Sequence, residues 1–114
     1  MAQKLFMRIL VVTETDACCG PMAAAFLRDY SVANEVVSAG RNPAETVDSM
    51  VVALMKECLV DLSGYQPRDV KEILVSAFDA IYECPDTPVP DSLESGRLLR
   101  DLVKNEAYLF LRRV

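Results

Sequence analysis

The sequence predicts an α/β fold, and three observations lead to it. The short apolar run Ile9-Leu10-Val11-Val12 is typical of a strand that is buried on both faces of a parallel sheet. Segments with a strand pattern alternate with segments with a helix pattern, and no hairpin signal joins two strand segments. Parallel strands connected by right-handed helical crossovers fit this alternation.

The order of the elements follows from local signals at their boundaries. Pro21 suits the first position of a helix, and Asn42 followed by Pro43 suits the cap and first turn of another. Gly40 ends the second strand, and three prolines within 84–91 make that segment a loop. The predicted elements are a strand over 4–13, a helix over 21–30, a strand over 35–39, a helix from 42, a turn over 61–64, a short helix over 67–74, a strand over 78–82 and a helix over 93–111.

Two of the helices carry apolar residues at three- and four-residue spacing, which predicts one buried face on each. In the helix from 42 this face includes Cys58, which we therefore expect in the core. Either Ser92 or Asp91 caps the closing helix. The predicted buried faces are Val47, Met50, Val51, Leu54, Met55 and Cys58 in the first helix, and Leu98, Leu99, Leu102, Val103, Tyr108, Leu109 and Leu111 in the second.

The composition limits the class of protein. The 114 residues predict a single domain over 1–114, and a hydrophobic fraction of 52% is enough for a packed core. A net charge of −5 disfavours nucleic acid and anionic membranes as partners, and no apolar stretch approaches the roughly 20 residues of a membrane helix. The chain has no histidine and no CxxC pair, which excludes histidine-based catalysis and Cys/His zinc patterns. We expect a cytoplasmic protein with free thiols, no metal and no cofactor.

The most informative segment lies between the first strand and the first helix. A strand, a tight loop and a helix start form a natural anion pocket, because free N–H groups and the positive end of the helix dipole point into the loop. The predicted anion-binding loop consists of Thr13, Glu14, Thr15, Asp16, Ala17, Cys18, Cys19 and Gly20.

Short motifs in order and in register carry a resemblance to a known family. The opening motif of that family runs Val-Cys-x-Gly-Asn-x-Cys-Arg-Ser-Pro-Met-Ala. Residues that keep step with it, or with later motifs, are Val12, Cys18, Pro21, Met22, Ala23, Ser38-Ala39-Gly40, Asp61-Leu62-Ser63-Gly64 and Phe78-Asp79. The chain thus resembles the superfamily of low-molecular-weight protein tyrosine phosphatases and thioredoxin-coupled arsenate reductases.

The resemblance implies a three-layer sandwich on a small parallel sheet of three to four strands in the order 2-1-3-4. Between the third strand and the last helix this chain has only 84–90, where the family usually has another helix and strand. A sheet of three strands is therefore as compatible with the sequence as one of four.

The resemblance also implies a chemistry that two positions of this chain do not supply. In the family a cysteine thiolate attacks phosphorus or arsenic, and an arginine six residues later holds the oxyanion. Here Thr13 stands at the nucleophile position and Cys19 at the arginine position. Each lost charge-assisted hydrogen bond is worth roughly 1.5–3 kcal/mol. Glu14 and Asp16 add negative charge, although Asp16 also suits the left-handed conformation of the family's asparagine. The favoured interpretation is a non-catalytic binding or regulatory module for a small oxyanion or a protein partner, as a monomer or weak homodimer.

Two other interpretations stay open. The first is a divergent phosphatase or arsenate reductase that uses Cys18 or Cys19, with Asp91, or Asp86 as the second choice, at the position of the family's general acid. The plainer role of Asp91 is a helix cap, and that of Asp86 a loop residue.

The second is a thiol redox or soft-metal sensor, since Cys84 lies near the redox cysteine of arsenate reductases. A Cys18–Cys84 or Cys19–Cys84 pair is compatible with that placement. The relatives' full relay is not, because Pro88, Val89 and Pro90 stand where its next cysteine belongs. The four tyrosines are assigned no role.

Overall fold

A three-stranded parallel sheet forms the centre of the computed structural model, which describes residues 6–30, 34–85 and 87–114. The strands lie in the order β2-β1-β3, so the predicted α/β fold on a small parallel sheet is confirmed with three strands in its described part. The elements in chain order are β1 Arg8–Thr13, α1 Cys19–Tyr30, β2 Glu35–Gly40, α2 Ser49–Lys56, two 3-10 helices Val70–Glu72 and Val75–Ala77, β3 Ala80–Glu83 and α3 Leu93–Arg113.

The central strand β1 is apolar because both of its faces are covered. Ile9 and Val11 belong to the core shared with α1, α2 and α3, whereas Leu10 and Val12 face the opposite side. On that side the cover comes from Val70, Ile73 and Phe78. The third layer is thus an irregular segment with two short 3-10 helices, and the predicted helix over 67–74 is wrong. Asp69 caps the first of these 3-10 helices, because its side chain accepts a hydrogen bond from the Lys71 N–H at 2.9 Å.

Helix α2 begins later than predicted. Its cap is Asp48, whose Oδ1 accepts a hydrogen bond from the Met50 N–H at 2.8 Å. Asn42 does not cap a helix, because its backbone and side-chain N–H groups both donate to Glu14, at 2.8 and 2.6 Å. The helix ends at Lys56, so Cys58 lies in the following turn and is exposed. The prediction that Cys58 belongs to the core is therefore wrong.

Helix α3 is confirmed in place but not in the face it buries. Ser92 is its cap, with Oγ accepting from the Ser95 N–H at 3.1 Å, so the alternative cap Asp91 is wrong. The buried positions are Gly96, Val103, Ala107 and Phe110. Four residues of the predicted buried face are exposed, namely Leu98, Leu102, Tyr108 and Leu109.

Gly96 shows where α3 meets α2. A Cβ at Gly96 would lie 2.8 Å from Leu54 Cδ1, so the two helices approach closely at a glycine rather than at a leucine of α3. No helix within the described ranges has the length and apolarity needed to cross a bilayer.

The other boundaries differ from prediction by a few residues. Helix α1 starts two residues earlier, at Cys19, and β3 is shifted two residues towards the C-terminus at its start. Of the predicted first strand, Lys4 and Leu5 lie outside the described residues. All residues from Cys19 to Leu27 are buried, because α1 is enclosed between the sheet and α3. This enclosure fixes the loop that precedes α1.

Candidate functional site

The loop over 13–20 leaves the carboxyl end of β1, at the middle of the sheet, where sites of open α/β folds form. The segment after β2 runs along this loop and donates hydrogen bonds to four of its carbonyls. These bonds are Arg41 N–H to Thr13 at 3.0 Å, Asn42 N–H to Glu14 at 2.8 Å, Ala44 N–H to Thr15 at 2.9 Å and Asp48 N–H to Ala17 at 3.1 Å. The loop is therefore held in one conformation by a neighbouring segment.

Thr13 stands at the position where the resemblance places the nucleophile. Its side chain is 0% exposed, and its Oγ1 accepts a hydrogen bond from the Asp16 N–H at 3.0 Å. This bond closes the first turn of the loop, as serine and threonine hydroxyls commonly do. In this geometry the hydroxyl is a structural part of the loop.

Asp16 is the most constrained residue of the loop. It adopts a left-handed backbone conformation with φ of 53°, a conformation that aspartate tolerates as the family's asparagine does. The carboxylate is fully buried, and Oδ2 accepts from the Tyr65 hydroxyl at 2.5 Å and from the Arg68 N–H at 3.0 Å. Burial raises the pKa of Asp16, and the bond from Tyr65 opposes this most.

The second oxygen of Asp16, Oδ1, has no hydrogen-bond partner among the described residues. Its surroundings follow from Gly20, where a Cβ would lie 2.9 Å from Thr13 Oγ1 and 3.2 Å from Asp16 Oδ1. The Thr13 hydroxyl and the unpaired oxygen thus converge beneath the start of α1. Gly20 leaves the space that both groups occupy.

Sequence reasoning missed the residues that support Asp16. The Tyr65 hydroxyl lies 2.6 Å from Ser38 Oγ as well as contacting Asp16, and its pKa is raised by burial. Tyr65 was assigned no role because no local pattern marks a residue that lies 49 positions from its partner. Ser38 had a signal, since it belongs to the Ser-Ala-Gly motif that carried the resemblance.

A cavity of about 750 Å³ lies over the loop. Its only charged lining residues are Glu14 and Asp48, and within the described part of the chain no lysine or arginine lines it. Both carboxylates also make structural hydrogen bonds, Glu14 with Asn42 and Asp48 with the Met50 N–H. The remaining lining is Thr15, Ala17, Cys18, Ala44, Thr46, Val47, Ser49, Thr87, Pro88 and Val89. The cavity wall therefore offers hydroxyls and apolar surface with negative charge.

None of the four cysteines forms a disulfide, and three of them lie in this loop or beside it. Cys18, Cys19 and Cys84 are all buried, and the Cys19 sulfur lies 3.2 Å from Thr87 Oγ1. Hydrogen bonds from the thiols of Cys18 and Cys84 lower the pKa of Cys19, and Thr87 adds to this effect. Cys18 lines the cavity over the loop, whereas Cys19 and Cys84 line a second cavity of about 390 Å³.

Of the two candidate general acids, only Asp91 lies within the described residues. Asp91 is exposed, precedes α3 and lines neither of these two cavities. Asp86 lies outside the described residues. Across 6–30, 34–85 and 87–114, no group of three or more histidine, cysteine, aspartate or glutamate residues is arranged to hold a metal ion.

The fold and the site define a class: an α/β protein in which a loop leaves the central strand of a three-stranded parallel sheet, is braced by the segment after β2 and leads into a buried helix. The sequence model of the low molecular weight phosphotyrosine protein phosphatase matches residues 8–86, which is more than half of the chain, so the chain belongs to this family. No curated protein sequence matches the chain.

Solved structures of related proteins have the same fold. Wzb of Vibrio vulnificus, solved with benzylphosphonate, is 20% identical, with a TM-score of 0.79 over 96% of this chain and 99% of that one. An arsenate reductase in the phosphate-binding state is 18% identical, with a TM-score of 0.81 over 95% and 98%. The YwlE arginine phosphatase of Geobacillus stearothermophilus is 19% identical, with a TM-score of 0.74 over 94% and 92%. These similarities establish the fold, including its similarity to arsenate reductases.

Proposed function

We propose that this protein is a non-catalytic member of its family and acts as a binding or regulatory module. One observation carries this proposal: the residue at the nucleophile position is Thr13. It is fully buried, and its hydroxyl accepts a hydrogen bond from the Asp16 N–H. A threonine hydroxyl is much less acidic than a thiol, and the chain has no histidine to act as its base. A nucleophile at this position therefore has no means of activation.

The charges around the loop support the same proposal. Cys19 stands at the arginine position, and because a thiol is neutral or anionic it supplies no cation to an oxyanion. Its sulfur lies 3.2 Å from Thr87 Oγ1. Glu14 and Asp48 line the cavity over the loop and disfavour a phosphate dianion there. A carboxylate about 5 Å from a unit negative charge repels it by roughly 3 kcal/mol at an effective dielectric of 20. Transition states that gain negative charge would be destabilised in the same way.

The proposal is tested by measuring catalytic turnover of the wild type. We expect the wild type to give no thiol-dependent hydrolysis of p-nitrophenyl phosphate and no thiol-coupled reduction of arsenate. Cys18→Ser and Cys19→Ser variants serve as controls, and an active member of the family run in parallel validates the assay. Turnover in the wild type that either substitution abolishes would overturn the proposal.

The ligand of the loop is either a small oxyanion or a surface of a protein partner. Titration with inorganic phosphate, followed by NMR of the amides of residues 15–20, distinguishes the two. Saturable shifts confined to those amides indicate an oxyanion ligand. The carboxylates and hydroxyls that line the cavity favour the protein partner, for which we expect phosphate to give only weak shifts that do not saturate at millimolar concentrations.

A divergent enzyme is the second candidate, and one observation favours it. The Cys18 thiol lines the cavity over the loop, where a substrate would lie, and it sits one residue before α1. Such a position stabilises a thiolate. Retained turnover in Cys19→Ser together with loss in Cys18→Ser would select this candidate. Under either function, four free cysteines suit a reducing compartment, and we propose the cytoplasm.

A further inference from the structure

We propose that the outer face of α3 is a dimerisation surface, against which a second copy of this chain packs its own α3 in the antiparallel direction. The outer face shares no residue with the cavity over the loop, so this inference stands or falls separately from the proposed function. It consists of the exposed residues Glu94, Leu98, Asp101, Leu102, Asn105, Tyr108, Leu109 and Arg112.

Helix α3 carries apolar residues on two opposite sides. Its buried side consists of Gly96, Val103, Ala107 and Phe110. With about 3.6 residues per turn, Leu98, Leu102 and Leu109 project from the opposite side, where they are 70%, 57% and 42% exposed. A helix at the surface of a monomer ordinarily has polar and charged residues in these places. The second apolar side therefore indicates a second packing partner for α3.

The spacing along the outer face is typical of a seam between two helices. The intervals are four, three, four and three residues along the series Leu98, Leu102, Asn105, Leu109 and Arg112. This heptad spacing brings one line of side chains to face a neighbouring helix, and a polar residue within the line fixes the register of the pair. The partner expected from the spacing is thus another helix of comparable length.

The outer face is concave near its middle. A cavity of about 500 Å³ lies beside Asn105, and Leu102 and Tyr108 form part of its wall. Tyr30 at the end of α1 forms the other edge, where its hydroxyl donates to the Lys104 carbonyl at 3.2 Å and its ring centroid lies 5.3 Å from that of Tyr108. This edge is held in place by α3 itself, so the concave surface is already formed for side chains of a facing helix.

The charges of the outer face select the antiparallel direction. Glu94 and Arg112 are 18 residues apart, which is about five turns or roughly 27 Å, so they lie along one line of α3 without contacting each other. The Arg112 guanidinium lies 5.9 Å from the centroid of the Tyr108 ring and thus belongs to this face. In an antiparallel pair each Glu94 faces the partner's Arg112, whereas a parallel pair brings like charges to the same level. Asp101 and Lys104, on either side of the midpoint, are complementary in the same way.

This pairing of charges also sets the register. The two-fold axis passes beside Val103, because the glutamate and the arginine are equally distant from it in the sequence. Leu102 then packs against the partner's Leu102, and Leu98 packs against the partner's Leu109. A two-fold dimer requires one surface that is complementary to itself, and the outer face meets this requirement in both its apolar and its charged residues. The occupant is therefore a second copy of this chain.

Sedimentation equilibrium of the full chain measures the association between about 1 μM and about 1 mM protein. A reductant is present, so that the exposed Cys58 forms no disulfide between copies. Because one pair of helices makes a small interface, we expect a monomer–dimer equilibrium with a dissociation constant of roughly 10–100 μM. A monomer over the whole range would overturn the proposal and leave the outer face to a different protein.

A substitution at the axis tests the surface. Leu102→Glu brings two carboxylates together at the centre of the dimer and should raise the dissociation constant at least about tenfold. Leu74→Glu is the matched control, because it makes the same change at a leucine that is 72% exposed and lies outside α3. Circular dichroism verifies that both variants are folded. Equal dissociation constants of the two variants would overturn the proposal.

Charge reversal tests the direction. Glu94→Arg and Arg112→Glu each replace attraction by repulsion at two places, and each should raise the dissociation constant about threefold to tenfold. The double variant Glu94→Arg/Arg112→Glu restores both pairs and should return to within about twofold of the wild type. Both changes oppose the dipole of α3, so the recovery has no source in a more stable helix. Dissociation constants that single reversals leave unchanged, or that the double reversal does not recover, would overturn the antiparallel dimer. This series decides the matter even if Leu102→Glu fails to fold.

Discussion

Asp16 is the residue of this site whose burial costs the most free energy. Aspartate tolerates a left-handed backbone better than most residues, which explains how it replaces the asparagine expected from the resemblance. A buried carboxylate with one unpaired oxygen is nevertheless expensive, and two hydrogen bonds to Oδ2 offset only part of that cost. An amide in the same place would keep both of those bonds without the charge.

The Asp16→Asn variant should accordingly be more stable at neutral pH, by about 1 kcal/mol. Because the folded-state pKa of Asp16 is raised, the native protein binds the proton more tightly than the unfolded chain does. The wild type therefore has its full stability from this group below the unfolded pKa and loses it as pH rises through the folded pKa. Urea unfolding of both proteins at several pH values measures the difference, which should grow with pH and then level off.

Asp91→Asn is the matched control for that experiment, because it removes the same charge from an exposed side chain. We expect its free energy of unfolding to stay within about 0.5 kcal/mol of the wild type at every pH. A stability difference for Asp16→Asn that does not vary with pH would contradict a charge-based cost at Asp16.

At the scale of elements, the loop depends on the close approach of the segment that follows β2. A Cβ at Gly40 would lie 2.9 Å from the Glu14 carbonyl oxygen, 2.9 Å from the Thr15 carbonyl carbon and 3.0 Å from the Asp16 nitrogen. All three atoms belong to the backbone, so no side chain can rotate away. Gly40 is thus required by the contact between β2 and the loop, and not merely as the end of a strand.

Gly40→Ala should therefore destabilise the protein by about 1–3 kcal/mol and shift the NMR signals of residues 13–17. Gly64→Ala is the comparison, since a Cβ at Gly64 meets nothing within 4 Å. That substitution should be neutral or slightly stabilising, because it restricts the unfolded chain. Equal thermal stability of the two variants would show that the loop can move away from β2 at little cost.

The sequence was informative where an element is decided by its own residues. β1 and β2 follow from apolar runs, and Ser92 follows from cap chemistry. The start of α2 could not be predicted, because the backbone N–H and the side-chain amide of Asn42 both donate to Glu14, 28 positions away. The buried face of α3 was missed for a similar reason: Gly96 allows a close approach that no local spacing indicates.

The site shows the same division between local and distant signals. The loop over 13–20 was identified from a strand, a glycine-proline pair and a helix start that are contiguous in the chain. The residues that contact the loop from elsewhere in the chain could not be identified in this way, because Tyr65 lies 49 positions from Asp16 and Thr87 lies 68 positions from Cys19. Such contacts follow from the packed sheet and helices rather than from any motif.

On the scale of the whole molecule, four arginines form ion pairs away from the cavity over the loop. Arg97 and Arg100 on α3 both bind Glu57 after α2, at 2.7 Å each. Further ion pairs are Arg8 with Glu35 at 3.1 Å and Arg41 with Glu83 at 3.4 Å. These four arginines thus join different parts of the chain, while the charged residues that line the cavity over the loop are two carboxylates. With a net charge of −5, the protein as a whole also repels anions.

If this charge distribution limits anion binding, removing one carboxylate from the cavity should strengthen it. Glu14→Gln keeps an oxygen for the Asn42 amide and should lower the dissociation constant for inorganic phosphate about fivefold, which corresponds to about 1 kcal/mol after solvent screening. Glu45→Gln makes the same change in net charge at an exposed residue that does not line the cavity, and should have little effect. Chemical shift titration at constant ionic strength compares the two. An equal effect of both substitutions would assign the weak phosphate binding to net charge alone. If neither substitution had an effect, the presence of Cys19 instead of an arginine, and not the added carboxylates, would control the affinity of the loop for phosphate.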